Sequence, residues 1–270
     1  MVGVRLRDLR AFGRWFGALS PLKRALLGLG LVALVALIVW AILNAQQEAR
    51  LVSADPDNTP PALASWGAAR GRGVFAAHCA ACHGPDGQGH TNQGVANLTD
   101  NDWLYGDGEV SDIEAVALYG IRAPNSHTWR LADMPAYSHP LPYAREPLIQ
   151  PLTPDDIRDV IQFLHVTQGK TADGSAAARG AAIFANRGGC YDCHGHDAHG
   201  DPAIGAPNLT DSIWLYGDGS DHWIFETIAH GRAGVCPAWF GRLSAVKIRE
   251  VSLYIYSLSH GASQPKPSLP

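Results

Sequence analysis

The hexapeptide "CAACHG", residues 79–84, recurs as "CYDCHG" at residues 190–195. The repeat does not stop there. "ANLTDNDWLYGDG", residues 96–108, recurs as "PNLTDSIWLYGDG", residues 207–219, so that Cys79 and Cys190, Trp103 and Trp214, and Gly120 and Gly231 are all 111 positions apart. The register slips only afterwards. Met134 follows Gly120 by 14 positions, whereas Cys236 follows Gly231 by 5, so the first copy carries nine extra residues. Both copies then reach a sulfur residue followed by Pro-Ala-aromatic, "MPAY" and "CPAW". Internal repetition at this period means that one structural unit has been used twice.

Helix signals bound each copy. "TPDDIRDVIQFLHV" places Thr153 as N-cap, Pro154 at the first helical position and Asp155 and Asp156 in the first turn, before an apolar stripe of Ile157, Val160, Ile161 and Leu164. "SAVKIREVSLYIYSL" follows the same plan with Ser244, Ile248, Val251 and Ile255. A helical segment also leads into each cysteine motif, and Gly- and Pro-rich loops with few strand patterns fill the space between. The fold expected is mainly α, with domains over residues 66–169 and 178–261, a linker at 170–177 and a tail at 262–270.

A composition of 270 residues that is 46% hydrophobic, with a formal charge of −4, is globular. Residues 25–47 carry no charge and are almost wholly apolar. As a helix they would extend about 34 Å, enough to span a bilayer once. Cleavage as a signal peptide is the competing reading, with Ala45 as a weak site. Residues 1–24 hold six basic side chains and one acidic, while only Arg50 is basic just after the span. That asymmetry predicts a cytoplasmic N-terminus, an anchor at 25–47, a tether at 48–65 and export of everything beyond. The remainder carries −9, which argues against nucleic acid and is suited to steering a basic partner.

Cys-x-x-Cys-His is the attachment signature of c-type haem. Two cysteines three apart on a helical turn reach the two vinyl groups, and the next residue, histidine, projects over the ring to the iron. Two such motifs predict two covalently bound haem c groups, attached through Cys79, Cys82, Cys190 and Cys193, with His83 and His194 as iron ligands. Apart from the initiator, Met134 is the chain's one methionine. Read within each copy, it supplies the sixth ligand of the first haem, and a His/Met pair suits electron transfer. Cys236 then stands at the sixth position of the second haem. It is read as a thiolate ligand, with His230 or His222 as the fallback and a five-coordinate iron as the third option. Trp103, Tyr105, Trp214 and Tyr216 are expected to wall the haem crevices. Arg122 and Arg232 are candidates for the propionates by position. The carbonyls of Ala96 and Pro207 are candidates to orient the two histidines.

The anchor, the two haem motifs, "NLTD…WLYGDG" and "HGRAGVCPAW" together resemble the dihaem subunit of cbb3-type cytochrome c oxidases, the CcoP/FixP type, over roughly residues 63–260. The resemblance implies two tandem cytochrome c domains behind a single transmembrane helix, in a bacterial inner membrane with the haems in the periplasm. It implies electron transfer from a soluble donor cytochrome c to the oxygen-reducing subunits, with no independent catalytic site in this chain. Where the family carries methionine before Pro-Ala-Trp, this sequence has Cys236. Two other readings stay open: a dihaem enzyme of thiosulfate dehydrogenase type, where a His/Cys haem is catalytic, and a shuttle for another membrane redox complex.

Overall fold

The computed structural model describes residues 20–128, 130–140 and 151–261. The segments 1–19 and 262–270, expected as the bulk of the cytoplasmic N-terminus and as the tail, lie outside the described residues. The chain divides into two compact units, Met1–Arg50 and Leu51–Pro270.

Helix α1, Pro21–Ser53, makes up the described part of the first unit and continues for one turn into the second. Proline opens it at the position where the missing N–H costs nothing. Its apolar side chains point outward all round, Leu26, Leu31, Val35, Ile38 and Leu43 each being about half exposed or more. A helix apolar on every face and 33 residues long is suited to lipid rather than to a protein groove. It runs without a break past Ala45, and the expected tether shrinks to the residues between Ser53 and Pro61.

The second unit is built from α2 (Pro61–His78), α3 (Ala80–His83), α4 (Val110–Tyr119), α5 (Pro154–Thr167), α6 (Gly174–Ala185), α7 (Tyr191–His194), α8 (Asp221–His230) and α9 (Ala245–His260). Among the described residues there are no strands, only four isolated bridges. The caps fall where the sequence puts them. Thr153 and Asp156 form a reciprocal capping box at α5, and Ser244 accepts the Lys247 N–H at α9. Asp173 caps α6 by accepting from Ser175 and Ala176, so the second domain starts inside the expected linker, and Ala176 and Ala177 are already buried.

The pairing of these helices departs from two self-contained domains. The first helix of the first repeat, α2, packs against the last helix of the second, α9. The last helix of the first repeat, α5, packs against the first helix of the second, α6. The link between α5 and α6 is six residues long, and a connection that short favours an antiparallel hairpin between sequence neighbours. Both crossings have the same chemistry. Gly71 of α2 comes so close to α9 that a Cβ would overlap the Glu250 carbonyl, and Gly180 of α6 meets the Asp159 carbonyl of α5 in the same way. The preceding arginine locks each crossing, Arg70 to Glu250 and Arg179 to Asp159.

Two apolar cores result. One gathers Leu51, Val74, Phe75, Val110, Ile113, Val251, Leu253, Ile255 and Tyr256, the other Tyr137, Leu152, Ile157, Val160, Ile161, Leu164, Ile183, Phe184, Ile224 and Ile228. Each draws on both repeats. We call them the His83 lobe (α2, α3, α4, α9) and the His194 lobe (α5 to α8). The last turn of α1 is fixed in the His83 lobe by the buried Arg249, which donates to the carbonyls of Leu51 and Ala54 at 3.0 Å and pairs with Glu114 at 2.8 Å.

Candidate haem sites

Each attachment motif is one turn of helix with its first cysteine at the N-cap. Tight turns follow at once, and the chain doubles back to lay a backbone carbonyl beside the histidine. His83 Nδ1 lies 3.0 Å from the Ala96 carbonyl and His194 Nδ1 lies 3.0 Å from that of Pro207. A carbonyl can only accept, so each Nδ1 carries the proton and each Nε2 presents a lone pair. Burial pushes both histidines below the ordinary imidazole range, which keeps them neutral and ready to bind a metal. The two carbonyls expected to orient these rings are the ones that do so.

The two sulfur residues expected as ligands lie elsewhere than expected. Met134 lines one apolar cavity together with Cys190, Cys193 and His194, walled by Phe184, Leu209, Trp214 and Ile228. Its neighbours Asp133 and Tyr137 act on Cys193 and Cys190. Cys236 sits beside Cys79 and Cys82 instead. Burial pushes its thiol up to about 11, with the nearby Cys82 adding to the effect, and Cys79 likewise stands at about 11 through burial and then Cys236. The pairing of Met134 with the first motif and Cys236 with the second is therefore crossed.

The crossing has a mechanical cause in two short backbone pairings. Ile121 and Cys236 exchange N–H···O bonds of 2.9 and 3.0 Å, and Met134 and Arg232 exchange two of 2.9 Å. The residues that follow continue the exchange. Trp239 and Phe240 donate to the carbonyls of Ala117 and Leu118 at the end of α4, as Tyr137 and Ser138 donate to those of Ile228 and Ala229 at the end of α8. Gly120 and Gly231 start both pairings with positive φ, 69° and 68°, and a side chain at either would strike the facing backbone of Cys236 or Met134.

The "WLYG" loops also cross. The ring of Tyr216 lies against Gly94 and that of Tyr105 against Gly205, while Gly217 donates to the Thr91 carbonyl at 2.9 Å and Gly106 to that of Pro202 at 3.2 Å. Trp214 and Tyr216 line the His194 cavity, and Trp103 packs against the core of the His83 lobe. Arg232 also lines the cavity, its guanidinium 4.5 Å from the Tyr216 ring centre. Arg122 lines the same cavity from the first repeat. Its Nε donates to the Gly234 carbonyl at 2.6 Å and its Nη1 to that of Ala132, which clamps the two repeats together. His230 is on the exposed side of α8, 3.5 Å from Glu226, and His222 is exposed beside Trp223.

Comparison with known proteins follows the same division. Residues 68–168 match the family model for cytochrome c, and residues 175–255 match that for cytochrome c oxidase, cbb3-type, subunit III. The cbb3-type oxidase subunit CcoP of Rhodobacter capsulatus is 38% identical over 232 residues, covering 82% of this chain and 73% of the relative. The chain belongs to the CcoP/FixP family. The FixP subunit of Bradyrhizobium sp. (strain ORS 278) is 41% identical over 209 residues, and the CcoP subunit of Cereibacter sphaeroides 36% over 210. In both cases the match spans 66% of the relative, so the chain covers just under two thirds of their length.

As a CcoP/FixP chain it carries two covalently bound haem c groups. The residues present fit them. The Cys190–Cys193 motif faces an apolar cavity with a histidine lone pair and a thioether on its lining, and the Cys79–Cys82 motif presents the same histidine lone pair. In the His83 lobe the buried indole Nε1 of Trp103 has no hydrogen-bond partner among the described residues, as suits a polar group with something seated against it.

Proposed function

We propose that this chain is a membrane-anchored dihaem cytochrome that takes electrons from a soluble donor cytochrome c and passes them to the oxygen-reducing subunits of a cbb3-type oxidase. The observation that carries this reading is the pair of attachment turns, each with its histidine ordered by a backbone carbonyl, within one compact unit. Two electron carriers share a single compact unit. Each haem supplies a one-electron couple. The protein attaches it, orders the histidine through a backbone carbonyl, excludes water with apolar walls and supplies the remaining axial ligand.

In this reading His194 and Met134 bind one iron, and His83 and Cys236 the other. A thioether favours a high potential. A thiolate donates more electron density and lowers it, within the roughly 0.8 V that axial ligands command. The His83 haem is then the lower of the two. Helix α1 anchors the chain by a single pass in a bacterial inner membrane, and the basic excess before the span supports a cytoplasmic N-terminus with the haems in the periplasm. The acidic exported part favours encounter with a basic donor.

The test is purification of the chain from its own membranes in mild detergent. Co-purification of a haem–copper subunit, with oxygen uptake driven by reduced cytochrome c and abolished by deleting this chain, is the result expected. A chain that purifies alone and is reduced directly by thiosulfate would replace this reading with the thiosulfate dehydrogenase type, which the Cys236 position favours as the second choice.

A further inference from the structure

Two arginines, one from each repeat, line the cavity that holds Met134, Cys190, Cys193 and His194. They are not repeat mates. Arg232 stands 111 positions after Ile121, and Arg122 stands 111 before Ala233. Each nevertheless belongs to a sulfur pairing. Arg232 is the backbone partner of Met134, and Arg122 follows Ile121, the backbone partner of Cys236. The two pairings therefore bring both guanidiniums to one cavity, where strict repetition would have given each centre one.

Neutral groups hold both guanidiniums in place. Arg232 donates through Nε and Nη2 to Thr227 Oγ1, at 3.2 and 3.0 Å, and lies over the Tyr216 ring. Arg122 donates through Nε to the Gly234 carbonyl at 2.6 Å, and through Nη1 to the Ala132 carbonyl and, at 3.4 Å, to the Tyr105 hydroxyl. Ala132, Thr227 and Gly234 belong to the same lining. Arg232 Nη1 and Arg122 Nη2 have no acceptor among the described residues, and neither arginine has a carboxylate at ion-pair distance there. Asp133 shares the lining, where it acts on Cys193. Arg122 also holds φ at 48°, the left-handed conformation that is costly to a residue with a Cβ. Such strain persists where the surroundings over-determine it, and ligand clamps are one such place. A guanidinium with unused N–H groups beside an apolar cavity gains most from a carboxylate, which it can bind through two parallel hydrogen bonds. Two of them describe a site for a ligand with two carboxylates.

We propose that Arg122 and Arg232 together hold the two propionate carboxylates of the haem attached through Cys190 and Cys193, one guanidinium coming from each repeat. The haem attached through Cys79 and Cys82 receives neither. A positive charge beside a haem favours the reduced form, which carries one positive charge fewer, so both arginines raise the potential of the same haem. This rests on the dihaem reading above, and the two can fail separately.

The experiment is a redox titration, with resonance Raman spectra, of the full-length protein in detergent and of Arg122→Asn, Arg232→Gln and the double variant. Asparagine is chosen at 122 because it tolerates the left-handed backbone. Intact mass first establishes that each variant holds two haems; a wild-type chain with fewer than two would refute the dihaem reading itself. Arg122→Asn and Arg232→Gln should each lower the same midpoint potential, changing the oxidised-to-reduced ratio of that haem about tenfold at fixed ambient potential, or about 59 mV. Each should shift a propionate bending band, the double variant should lower that midpoint further, and the other midpoint should stay in place. If the two substitutions move different midpoints, each repeat serves its own haem and the assignment is wrong. It is equally wrong if either substitution leaves both potentials and the propionate bands unchanged. If a variant fails to retain both haems, Arg122→Lys and Arg232→Lys carry the test. They keep the charge and lose the paired hydrogen bonds, so each should shift a propionate band while the potentials stay near wild type, and an unchanged band in either overturns the proposal.

Discussion

Gly71→Ala is the sharpest test of the crossed helices. The substitution is in the first repeat, and the atoms it meets belong to the second. A Cβ at Gly71 would overlap the backbone carbonyl of Glu250 and stand 2.9 Å from Tyr254 Cβ, where ordinary contact begins at 3.4 Å. A backbone carbonyl cannot rotate away, so α2 and α9 must separate, and Arg70 must stretch to keep Glu250. Overpacking of this kind costs about 1–3 kcal/mol, and the rigid obstacle puts it at the upper end. Replacing glycine inside a helix returns up to about 1 kcal/mol. The net loss is about 2 kcal/mol, which for a unit of this size lowers Tm by about 4–8 °C. Thermal unfolding of the haem-loaded chain, followed in the Soret band, measures it. A Tm within about 1 °C of wild type would mean that α2 does not meet α9 at Gly71, and that the terminal helices pair inside their own repeats.

Three further outcomes follow from the same geometry. Cys236→Met should raise the lower midpoint potential and abolish the thiolate-type low-spin signal; in a chain lacking Cys79 and Cys82 that signal should vanish as well, whereas loss of Cys190 and Cys193 should leave it in place. Residues 1–169 alone lack both α9 and Cys236, so they should give a poorly helical, easily unfolded product whose haem has no strong sixth ligand, as far-UV circular dichroism and the visible spectrum will show. Although partial burial works against it, hydrogen bonds from the Thr153 N–H and hydroxyl and from Arg187 hold the Asp156 carboxyl below the usual carboxylate range. A carboxylate with a lowered folded pKa stabilises above its unfolded value, near 3.9, and that contribution disappears as pH falls through the folded value. Asp156→Asn should therefore cost stability at pH 7, by about 1 kcal/mol for a weakened cap, and the gap from wild type should close in acid unfolding below about pH 4.

Much of the local structure was legible because it is written in short patterns. The caps at Thr153 and Ser244, the stripe through Ile157 and Leu164, the haem turns and the carbonyls of Ala96 and Pro207 all depend on residues within a few positions or one loop. The crossing is a different kind of information. An amphipathic helix has the same stripe whether its partner lies in its own repeat or in the next, so periodicity cannot distinguish the two. The signals that do distinguish them are the six-residue link between α5 and α6 and the Arg-Gly pairs opposite Glu250 and Asp159. The misreading of residues 170–177 as linker came from composition: small polar residues there are a capped helix start, and only the burial of Ala176 and Ala177 reveals it.

The exchanged backbone pairings at Gly120 and Gly231 also bear on how such a chain can change over generations. After most duplications one copy is free to drift, because the other still performs the task. In the proposed ligation neither copy owns a complete centre: each would give an attachment turn to one iron and a sulfur to the other. A lineage that discarded either half would lose both carriers at once, and a lineage that altered one sulfur, as at Cys236, would retune the carrier belonging to its sister's cysteines. The duplication is thus irreversible by simple deletion, and selection acts on the two halves as one heritable object.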